Sequence, residues 1–281
     1  MSDQNCSGCP EQGKCDGDPQ TCGMPRPTRG TMKHIIAVGS GKGGVGKSTV
    51  SALLASGLAK MGHKVGILDA DITGPSIPKL LGVKGAPFSV DGKIQPPSSP
   101  NLGIKVMSIN LVLEDPTKPV VWRGPLIGNV IRQFWDETDW GDTDTLVVDL
   151  PPGTADAPLT VMQSIQLDGV VMVTSPQELS GLVVEKMMHM TRMMSVPLIG
   201  IVENMSYAVC PHCGEQWEVF GPSHLDDIRK KWLVPSIARL PLDMGVSILG
   251  DAGRIEEYEK DDIPGSIARG VMGNLESAVV L

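Results

Sequence analysis

A single stretch, HIIAVGSGKGGVGKST (residues 34–49), constrains the fold more than any other part of the chain. Its opening run of β-branched apolar residues is long enough for a buried strand and too short for a helix. A glycine-rich turn follows, and from Lys47 onward the apolar residues recur with helical spacing. This order of strand, turn and helix predicts a loop whose backbone N–H groups converge on phosphate oxygens at a helix N-terminus.

The turn fits the phosphate-loop pattern G-x-x-x-x-G-K-[ST]. Lys47 is expected to reach the outer phosphates of a nucleotide, and the Ser48 hydroxyl is expected to ligate Mg²⁺. An ordinary glycine-rich turn is the alternative, which the complete order of strand, loop, Lys-Ser and helix disfavours. The predicted nucleotide-binding residues of the loop are Gly41, Lys42, Gly43, Gly44, Val45, Gly46, Lys47, Ser48 and Thr49.

A second nucleotide pattern overlaps the first. Gly39, Gly41 and Gly44 match the dinucleotide fingerprint G-x-G-x-x-G, with Asp69 as a ribose-binding acid. A dinucleotide fold makes no use of Lys47 and Ser48 directly after the last glycine. The sequence therefore favours a nucleoside triphosphate over NAD.

Two acidic residues follow the next apolar run, residues 65–68, at Asp69 and Asp71. Because ligands bind at the carboxyl ends of parallel strands, both carboxylates are expected on the ligand side of the sheet. Asp69 is expected to approach Mg²⁺ through a water molecule, and Asp71 to orient or deprotonate an attacking water. For Asp71 a loop cap is the alternative.

A third strand, TLVVD (residues 145–149), ends in an acid in the manner of a Walker B strand. Asp149 is expected in the Mg²⁺ shell, through water. In the turn that follows, the amide of Gly153 is expected to meet the γ-phosphate and to sense its hydrolysis.

The first 32 residues contain four of the six cysteines and almost no large apolar residue, so this extension cannot build a core of its own. Four thiolates within 17 residues suit either a zinc site or an iron–sulfur cluster, and their spacing does not decide between the two. Two disulfides are the alternative, which a cytosolic location disfavours. The four candidate ligands are Cys6, Cys9, Cys15 and Cys22.

A second cysteine group, Cys210 and Cys213, forms a C-x-x-C turn within YAVCPHCGEQW. Two thiolates are half of a tetrahedral site, so two subunits are predicted to share one metal or cluster across a two-fold axis. A thioredoxin-like dithiol is the rival interpretation, and no thioredoxin-like pattern surrounds the pair.

Composition narrows the class of protein and its partners. The chain has 281 residues, 41% hydrophobic and 20% charged, with a formal net charge of −8. No block of Lys or Arg favours nucleic acid or an anionic membrane as a partner, and no apolar run approaches the roughly 20 residues that span a bilayer. The N-terminus lacks the basic and apolar parts of a signal peptide, so a cytoplasmic protein is expected.

Strands and helices alternate along the chain. This predicts an α/β fold with a mostly parallel central sheet covered by helices on both faces. One domain is expected over residues 33–281, after the irregular cysteine-rich extension 1–32. Further expectations are an exposed hairpin or loop over 82–101, a helix over 122–135, and strands over 170–174 and 198–202. Met187, Met190 and Met194 of the helix over 181–194 share helical spacing, so they are expected to pack in the core, and a methionine-rich metal site is the alternative.

Several of these segments resemble one known family. GKGGVGKST resembles the deviant Walker A loop of the MinD/Mrp/nitrogenase-iron-protein class of P-loop ATPases, and LDADITGPS, DLPPGT and CPHCGE resemble Mrp/ApbC-type iron–sulfur carriers. The resemblance covers about residues 33–281 and implies a three-layer P-loop NTPase fold. It also implies that Lys42 reaches the phosphates of a partner subunit and that Asp71 activates water. It further implies nucleotide contacts from Asn204, at the adenine edge, and from Pro241 and Asp243.

The extension also carries a resemblance. CSGCPEQGKC is similar to the cysteine segment of the cytosolic iron–sulfur scaffold branch of this family. In that branch the fourth cysteine precedes the C-x-x-C, whereas here Cys22 follows Cys15. The fourth ligand of an N-terminal cluster is therefore open.

The resemblance implies a homodimeric ATPase with slow hydrolysis that binds ATP, Mg²⁺ and [4Fe–4S] clusters and transfers clusters to apo-proteins. A partitioning or positioning ATPase of the same fold is one alternative, but the last 17 residues contain a single cation, Arg269, and fit neither a membrane helix nor a DNA-binding patch. A zinc-stabilised ATPase without cluster transfer is another.

Overall fold

The chain forms a central parallel sheet with helices around it. The computed structural model describes residues 29–72, 74–113, 124–154, 156–177 and 182–276. Short apolar runs build the central strands of the sheet, and most of their residues are wholly buried. The strands are β1 (His34–Ser40), β2 (Val65–Asp69), β3 (Phe88–Val90), β4 (Lys93–Gln95), β5 (Lys105–Ser108), β6 (Thr145–Asp149), β7 (Gly169–Thr174), β8 (Leu198–Val209), β9 (Gln216–Trp217) and β10 (Ser236–Pro241).

The order of strands in the main sheet is β10-β8-β7-β1-β6-β2-β5, and every pair along this path is parallel. β9 pairs antiparallel with the end of β8, while β3 and β4 form a separate hairpin. In the registers of β1 and β2 with β6, Val38 and Asp69 both lie opposite Asp149. The sheet thus brings the predicted Mg²⁺ carboxylates together at its carboxyl edge.

Helices cover both faces of the sheet over two separate hydrophobic cores. One core lies against α1, α2, α7 and α8, and the other against α3, α4, α5 and α6, so the predicted three-layer α/β architecture is confirmed. The helices are α1 (Lys47–Lys60), α2 (Ile77–Leu80), α3 (Gly124–Glu137), α4 (Asp156–Ser164), α5 (Leu182–Met193), α6 (Leu225–Trp232), α7 (Met244–Asp251) and α8 (Ile263–Leu275).

Two elements differ from the sequence expectation. The strand predicted over 198–202 continues as β8 through the polar residues Glu203 and Asn204 to Val209. Helix α7, which sequence reasoning did not predict, begins after Asp243, whose side chain accepts the N–H of Gly245 as a helix N-cap. The hairpin within 82–101 and the burial of Met187 and Met190 agree with the predictions.

Residues 29–32 precede the predicted domain limit at residue 33 and contact the domain. The guanidinium of Arg29 pairs with the carboxylate of Asp168, and the Thr31 hydroxyl lies 2.9 Å from the carbonyl oxygen of Gly141. Met32 is buried with 8% of its surface exposed. These residues therefore pack on the ATPase domain as part of it.

No helix within the described ranges combines the length and the apolar character needed to cross a bilayer.

Candidate functional site

The glycine-rich loop between β1 and α1 borders a cleft of about 270 Å³. Gly44 and Gly46 have φ angles of 88° and 81°, in the left-handed region that side chains disfavour. The loop therefore needs glycine at both positions to bring its backbone to the start of α1. The cleft is lined by Ser40, Lys42, Gly43, Gly44, Gly46, Lys47, Ser48, Thr49, Asp71, Gly74, Ser76 and Pro152.

Lys47 lies at the bottom of this cleft and is nearly buried. Its Nζ is 2.8 Å from Oδ2 of Asp149, 3.2 Å from Oγ of Ser48 and 3.9 Å from Oδ2 of Asp71. The cation predicted to reach the outer phosphates is thus paired with carboxylates in this conformation. Because Lys47 lines the cleft, its ammonium group can exchange these carboxylate partners for phosphate oxygens.

The carboxylate of Asp149 accepts hydrogen bonds from three side chains of α1. Besides Lys47, the hydroxyls of Ser48 and Ser51 donate to its two carboxylate oxygens, each at 2.6 Å. Ser51 was missed by sequence reasoning, although it lies one helical turn after Lys47 and so faces the same side of α1. The two serines and the lysine hold the Asp149 carboxylate in one orientation.

Asp69 is wholly buried beside Asp149. Its carboxylate accepts the Ser108 hydroxyl at 3.1 Å and the Ile77 N–H at 3.3 Å. Burial raises the pKa of Asp69 to about 8, and repulsion by Asp149 adds to this, while Lys47 opposes it. Without nucleotide, the site therefore retains a proton on Asp69 through neutral pH.

Asp71 borders the cleft with its side chain largely buried. Its Oδ1 accepts the N–H of Gly74 at 3.2 Å, the loop-cap arrangement that is the alternative to a water-activating role. The two roles are compatible, because a carboxylate has further lone pairs directed elsewhere. Activation of water by Asp71 stays a prediction.

The donor chemistry of this edge fits Mg²⁺. Ser48, Asp69 and Asp149 offer hydroxyl and carboxylate oxygens, which are the ligands this hard cation prefers. Within the described ranges, no three His, Cys, Asp or Glu side chains are grouped closely enough to hold a metal on their own. In general, Mg²⁺ binds through one or two carboxylates together with substrate phosphates and water.

Asn204 lies against the phosphate loop. Its Nδ2 donates to the carbonyl oxygen of Val45 at 2.9 Å, and a Cβ added at Gly46 would come within 2.2 Å of the same nitrogen. Gly46 is thus required both by its φ angle and by the approach of Asn204. The predicted contact of Asn204 with adenine remains a prediction, and the strand boundary predicted just before this residue was wrong.

Gly153 follows β6 with a φ angle of 97°. Its N–H donates to the carbonyl oxygen of Ser40 at 2.9 Å, so this amide already has a partner. A contact with a γ-phosphate would require the amide to exchange Ser40 for a phosphate oxygen. The predicted sensing role therefore implies a movement of this turn.

Pro241 and Asp243 lie at the end of β10 and the start of α7. Pro241 is buried, and the carboxylate of Asp243 accepts Gly245 N–H at 2.7 Å, Lys260 Nζ at 2.7 Å and Tyr258 OH at 3.1 Å. These contacts fix the loop between strand and helix. Nucleotide binding by the two residues stays a prediction.

Cys210 and Cys213 lie in the turn between β8 and β9, with free thiols, and Cys213 is exposed. The turn is closed by the Gly214 N–H, which donates to the Cys210 carbonyl at 2.9 Å. N–H groups of Cys213 and His212 lower the pKa of the Cys210 thiol. The lowered pKa favours the thiolate, which is the form of cysteine that can ligate a metal.

Of the other predicted site residues, some lie at the cleft and some lie outside the described residues. Lys42 is exposed at the mouth of the cleft, and Thr49 lines it. The N-terminal cysteines Cys6, Cys9, Cys15 and Cys22 lie outside the described residues.

Comparison with known proteins gives consistent results along most of the chain. The ParA-group family model described as the NUBPL iron-transfer P-loop NTPase matches residues 31–274. A relative from Methanocaldococcus jannaschii, named iron–sulfur cluster carrier protein, is 44% identical over 257 residues, which cover 89% of this chain and 88% of the relative.

Solved structures of similar proteins agree with this family match. A nucleotide-binding protein of Archaeoglobus fulgidus, in complex with ADP and with cobalt found by PIXE, is 47% identical, with a TM-score of 0.76 over 83% of this chain and 91% of that one. MinD of Pyrococcus horikoshii, in complex with Mg–ADP, covers 87% of this chain and 95% of its own at 22% identity and a TM-score of 0.55, which shows the fold alone. Because the family model spans most of its length, this chain belongs to the NUBPL iron-transfer P-loop NTPase family.

Proposed function

We propose that this protein is an ATP-hydrolysing scaffold and carrier that binds a [4Fe–4S] cluster and transfers it to apo-proteins. The observation that carries the proposal is the exposed turn with two free thiols, Cys210 and Cys213, on a chain with a complete phosphate loop. Relatives named iron–sulfur cluster carrier support the same cargo. A surface position suits a cluster that must be passed on, because the recipient's ligands need access to it.

The cargo site is proposed to be shared by two subunits. One chain offers two thiolates, whereas a [4Fe–4S] cluster ordinarily takes four. A two-fold axis beside the turn would supply the second pair. The exposure of Lys42 at the mouth of the cleft supports the companion proposal that it reaches the partner subunit's phosphates.

Hydrolysis is proposed to use the residues at the carboxyl edge of the sheet. Lys47 leaves the carboxylates for the outer phosphates, and Ser48, Asp69 and Asp149 hold the Mg²⁺ shell. When bound there, Mg²⁺ would supply charge neutralisation for the phosphates. Asp71 orients the attacking water, and Gly153 gives up Ser40 to follow the γ-phosphate. Turnover is expected to be slow, since the reaction serves as a switch.

A second cluster or zinc site is proposed in the extension, with Cys6, Cys9, Cys15 and Cys22 as candidate ligands. We also propose that the protein works in the cytoplasm, where such thiols stay reduced. The extension is proposed to be modular, so that the site at Cys210 functions without it.

Anaerobic purification with iron, sulfide and zinc analysis tests the proposal. The wild type is compared with the Cys210→Ser/Cys213→Ser variant and with a matched Cys6→Ser/Cys9→Ser variant. The first variant should lose the whole shared cluster, which is about two iron atoms per subunit, and should dimerise more weakly in sedimentation. The second should keep the shared cluster, and ATP binding should persist in both.

Two results would contradict the proposal. A wild-type protein that holds zinc and no sulfide at Cys210 and Cys213 would support the zinc-stabilised ATPase instead. A stable monomer that binds a full cluster would refute the shared site. Transfer is tested separately, by incubating the loaded protein with an apo-protein and measuring the recipient's cluster absorbance.

A further inference from the structure

A buried carboxylate, Glu203, lies on β8 between the phosphate loop and the cysteine turn. It is wholly buried, which for an acid requires partners. Ser206 Oγ donates to Glu203 Oε2, Ser223 Oγ lies 2.8 Å from Oε1, and Nε of Arg239 lies 3.2 Å from Oε2. Arg239 also donates to Ser206 Oγ at 2.8 Å. The four side chains form one closed network.

The network spans an irregularity in the sheet. In the pairing of β8 with β10, Glu203 lies opposite Arg239 and Tyr207 opposite Pro241, so residues 204–206 lie opposite one residue of β10. Met205, in the middle of this bulge, has a φ angle of 53°, which is costly for a residue with a side chain. Bulges next to active sites redirect side chains. This segment is therefore a place where β8 can change its course.

One end of the bulge contacts the nucleotide site. Asn204 follows Glu203 directly, and its side chain holds the carbonyl of Val45 in the phosphate loop. A rearrangement of the loop at Val45 on nucleotide binding would change this hydrogen bond. The backbone of Asn204 and Met205 would then move against Glu203, whose own side chain is fixed by the network.

The other end holds the cysteine turn. The segment that carries Cys210 and Cys213 begins after β8 ends at Val209. The Glu203 carboxylate accepts the hydroxyl of Ser206, before this segment, and the hydroxyl of Ser223, after its cysteines, and so connects the two flanks of the turn. Arg239 extends the network into the segment, because its Nη2 lies 3.3 Å from Oε1 of Glu218, directly after β9. The position of the turn thus depends on the same side chains that border the bulge.

We propose that Glu203 is a positioning residue that couples nucleotide occupancy of the phosphate loop to the geometry of the Cys210–Cys213 turn. The role we assign to this coupling is control of cluster release, and that role rests on the proposed function. The coupling itself does not depend on the proposed function. It acts through β8 and is distinct from the turn that contains Gly153. By linkage, metal bound at the cysteines would change nucleotide affinity by the same factor.

The test uses the full chain and measures the alkylation rate of Cys210 and Cys213 by peptide-level mass spectrometry, with and without Mg–ATPγS. In the wild type, nucleotide should change this rate by at least about fivefold, the lower end of usual allosteric coupling. In Glu203→Gln, the ratio of the alkylation rates with and without nucleotide should be close to one, while nucleotide affinity stays within about threefold of the wild type. Glu218→Gln, an exposed change that leaves the buried carboxylate in place, should reduce the ratio as well.

The matched control is Glu257→Gln, which breaks a surface pair with Arg254 outside the Glu203 network and should keep the wild-type ratio. The proposal would be overturned if bound nucleotide left the alkylation rate of the wild type unchanged. It would also be overturned if both variants kept the wild-type ratio of the rates with and without nucleotide. If Glu203→Gln does not fold, Glu218→Gln decides. If the ratio behaves as expected but the cysteines bind no iron, the coupling stands and the proposed function fails.

Discussion

At the scale of single residues, the nucleotide site is held together by charges that a nucleotide would redistribute. Lys47 contacts Asp149 at 2.8 Å and Asp71 at 3.9 Å, and it also lowers the proton affinity of Asp69. Three buried carboxylates around one lysine are unfavourable unless one of them holds a proton. The phosphate loop, the lysine and the acids therefore form one electrostatic unit.

Replacement of Lys47 by Ala should remove tight ATP binding. Lost charge-assisted hydrogen bonds to phosphate, at about 1.5–3 kcal/mol each, correspond to a loss of roughly 100-fold in affinity. Titration calorimetry with Mg–ATPγS measures the change. Lys42→Ala is the matched control, since Lys42 is exposed at the mouth of the cleft. It should spare binding and lower hydrolysis, and wild-type affinity in Lys47→Ala would refute the phosphate-loop assignment.

The raised pKa of Asp69 predicts a pH dependence of stability. The folded protein holds a proton that the unfolded chain releases near pH 4, so the free energy of unfolding falls as pH rises from about 4 to about 8. The slope contributed by one proton is at most about 1.4 kcal/mol per pH unit. Urea unfolding of nucleotide-free protein with a chelator measures it. Asp69→Asn should flatten this slope, and an unchanged slope would show that Asp69 is ionised throughout.

The phosphate-loop residues could be predicted because their signal is local. The glycines, Lys47 and Ser48 lie together in one strand–loop–helix unit. Asp149 could be predicted from the rule that ligands bind at the carboxyl ends of parallel strands. Ser51 and Ser108 could not be predicted in the same way. Their acid partners lie 98 and 39 residues away, and a serine in a helix or strand has many other uses. Strand register, which sequence patterns do not fix, selects them.

At the scale of elements, α1 and α8 pack closely at Gly57. A Cβ added at Gly57 would lie 2.1 Å from the carbonyl oxygen of Pro264, which is backbone and cannot move aside alone. Gly57→Ala should therefore destabilise the fold by about 1–3 kcal/mol through overpacking, measured by urea unfolding. Gly273→Ala in α8 is the control, because nothing lies within 4 Å of its added Cβ. It should be neutral or stabilising by up to about 1 kcal/mol, and equal losses in both would contradict the packing argument.

Strand β8 shows why some elements were predicted with wrong limits. Its first five residues are apolar, whereas Glu203, Asn204 and Ser206 are typical of a strand end by composition. They continue the strand because distant groups, including Arg239 and the phosphate loop, satisfy their side chains. Helix α7 was missed for a related reason. Its glycines lower helix propensity, and the Asp243 cap and packing against the core compensate.

At the scale of the whole molecule, the N-terminal limit of the ATPase domain is set by contacts that join distant parts of the chain. Asp168 pairs with Arg29 and also accepts the N–H of Ile35 in β1 at 2.8 Å. The hydroxyl of Thr31 lies within hydrogen-bond distance of the loop before β6, and Met32 belongs to the core beneath α3 and α4. Composition alone placed the boundary after Met32, since this segment has few apolar residues.

Truncation after residue 28 should therefore leave a stable, nucleotide-binding domain, whereas truncation after residue 32 should not leave an equally stable one. The longer deletion removes the burial of Met32, an ion pair and at least one hydrogen bond, which together are worth roughly 3 kcal/mol. At about 2–4 °C per kcal/mol for a domain of this size, the melting temperature should fall by about 6–12 °C. Calorimetry of both truncations at equal concentration measures the difference, and Asp168→Asn in the full chain should reproduce part of it. Equal melting temperatures, or aggregation of the shorter deletion, would show that the domain boundary lies elsewhere.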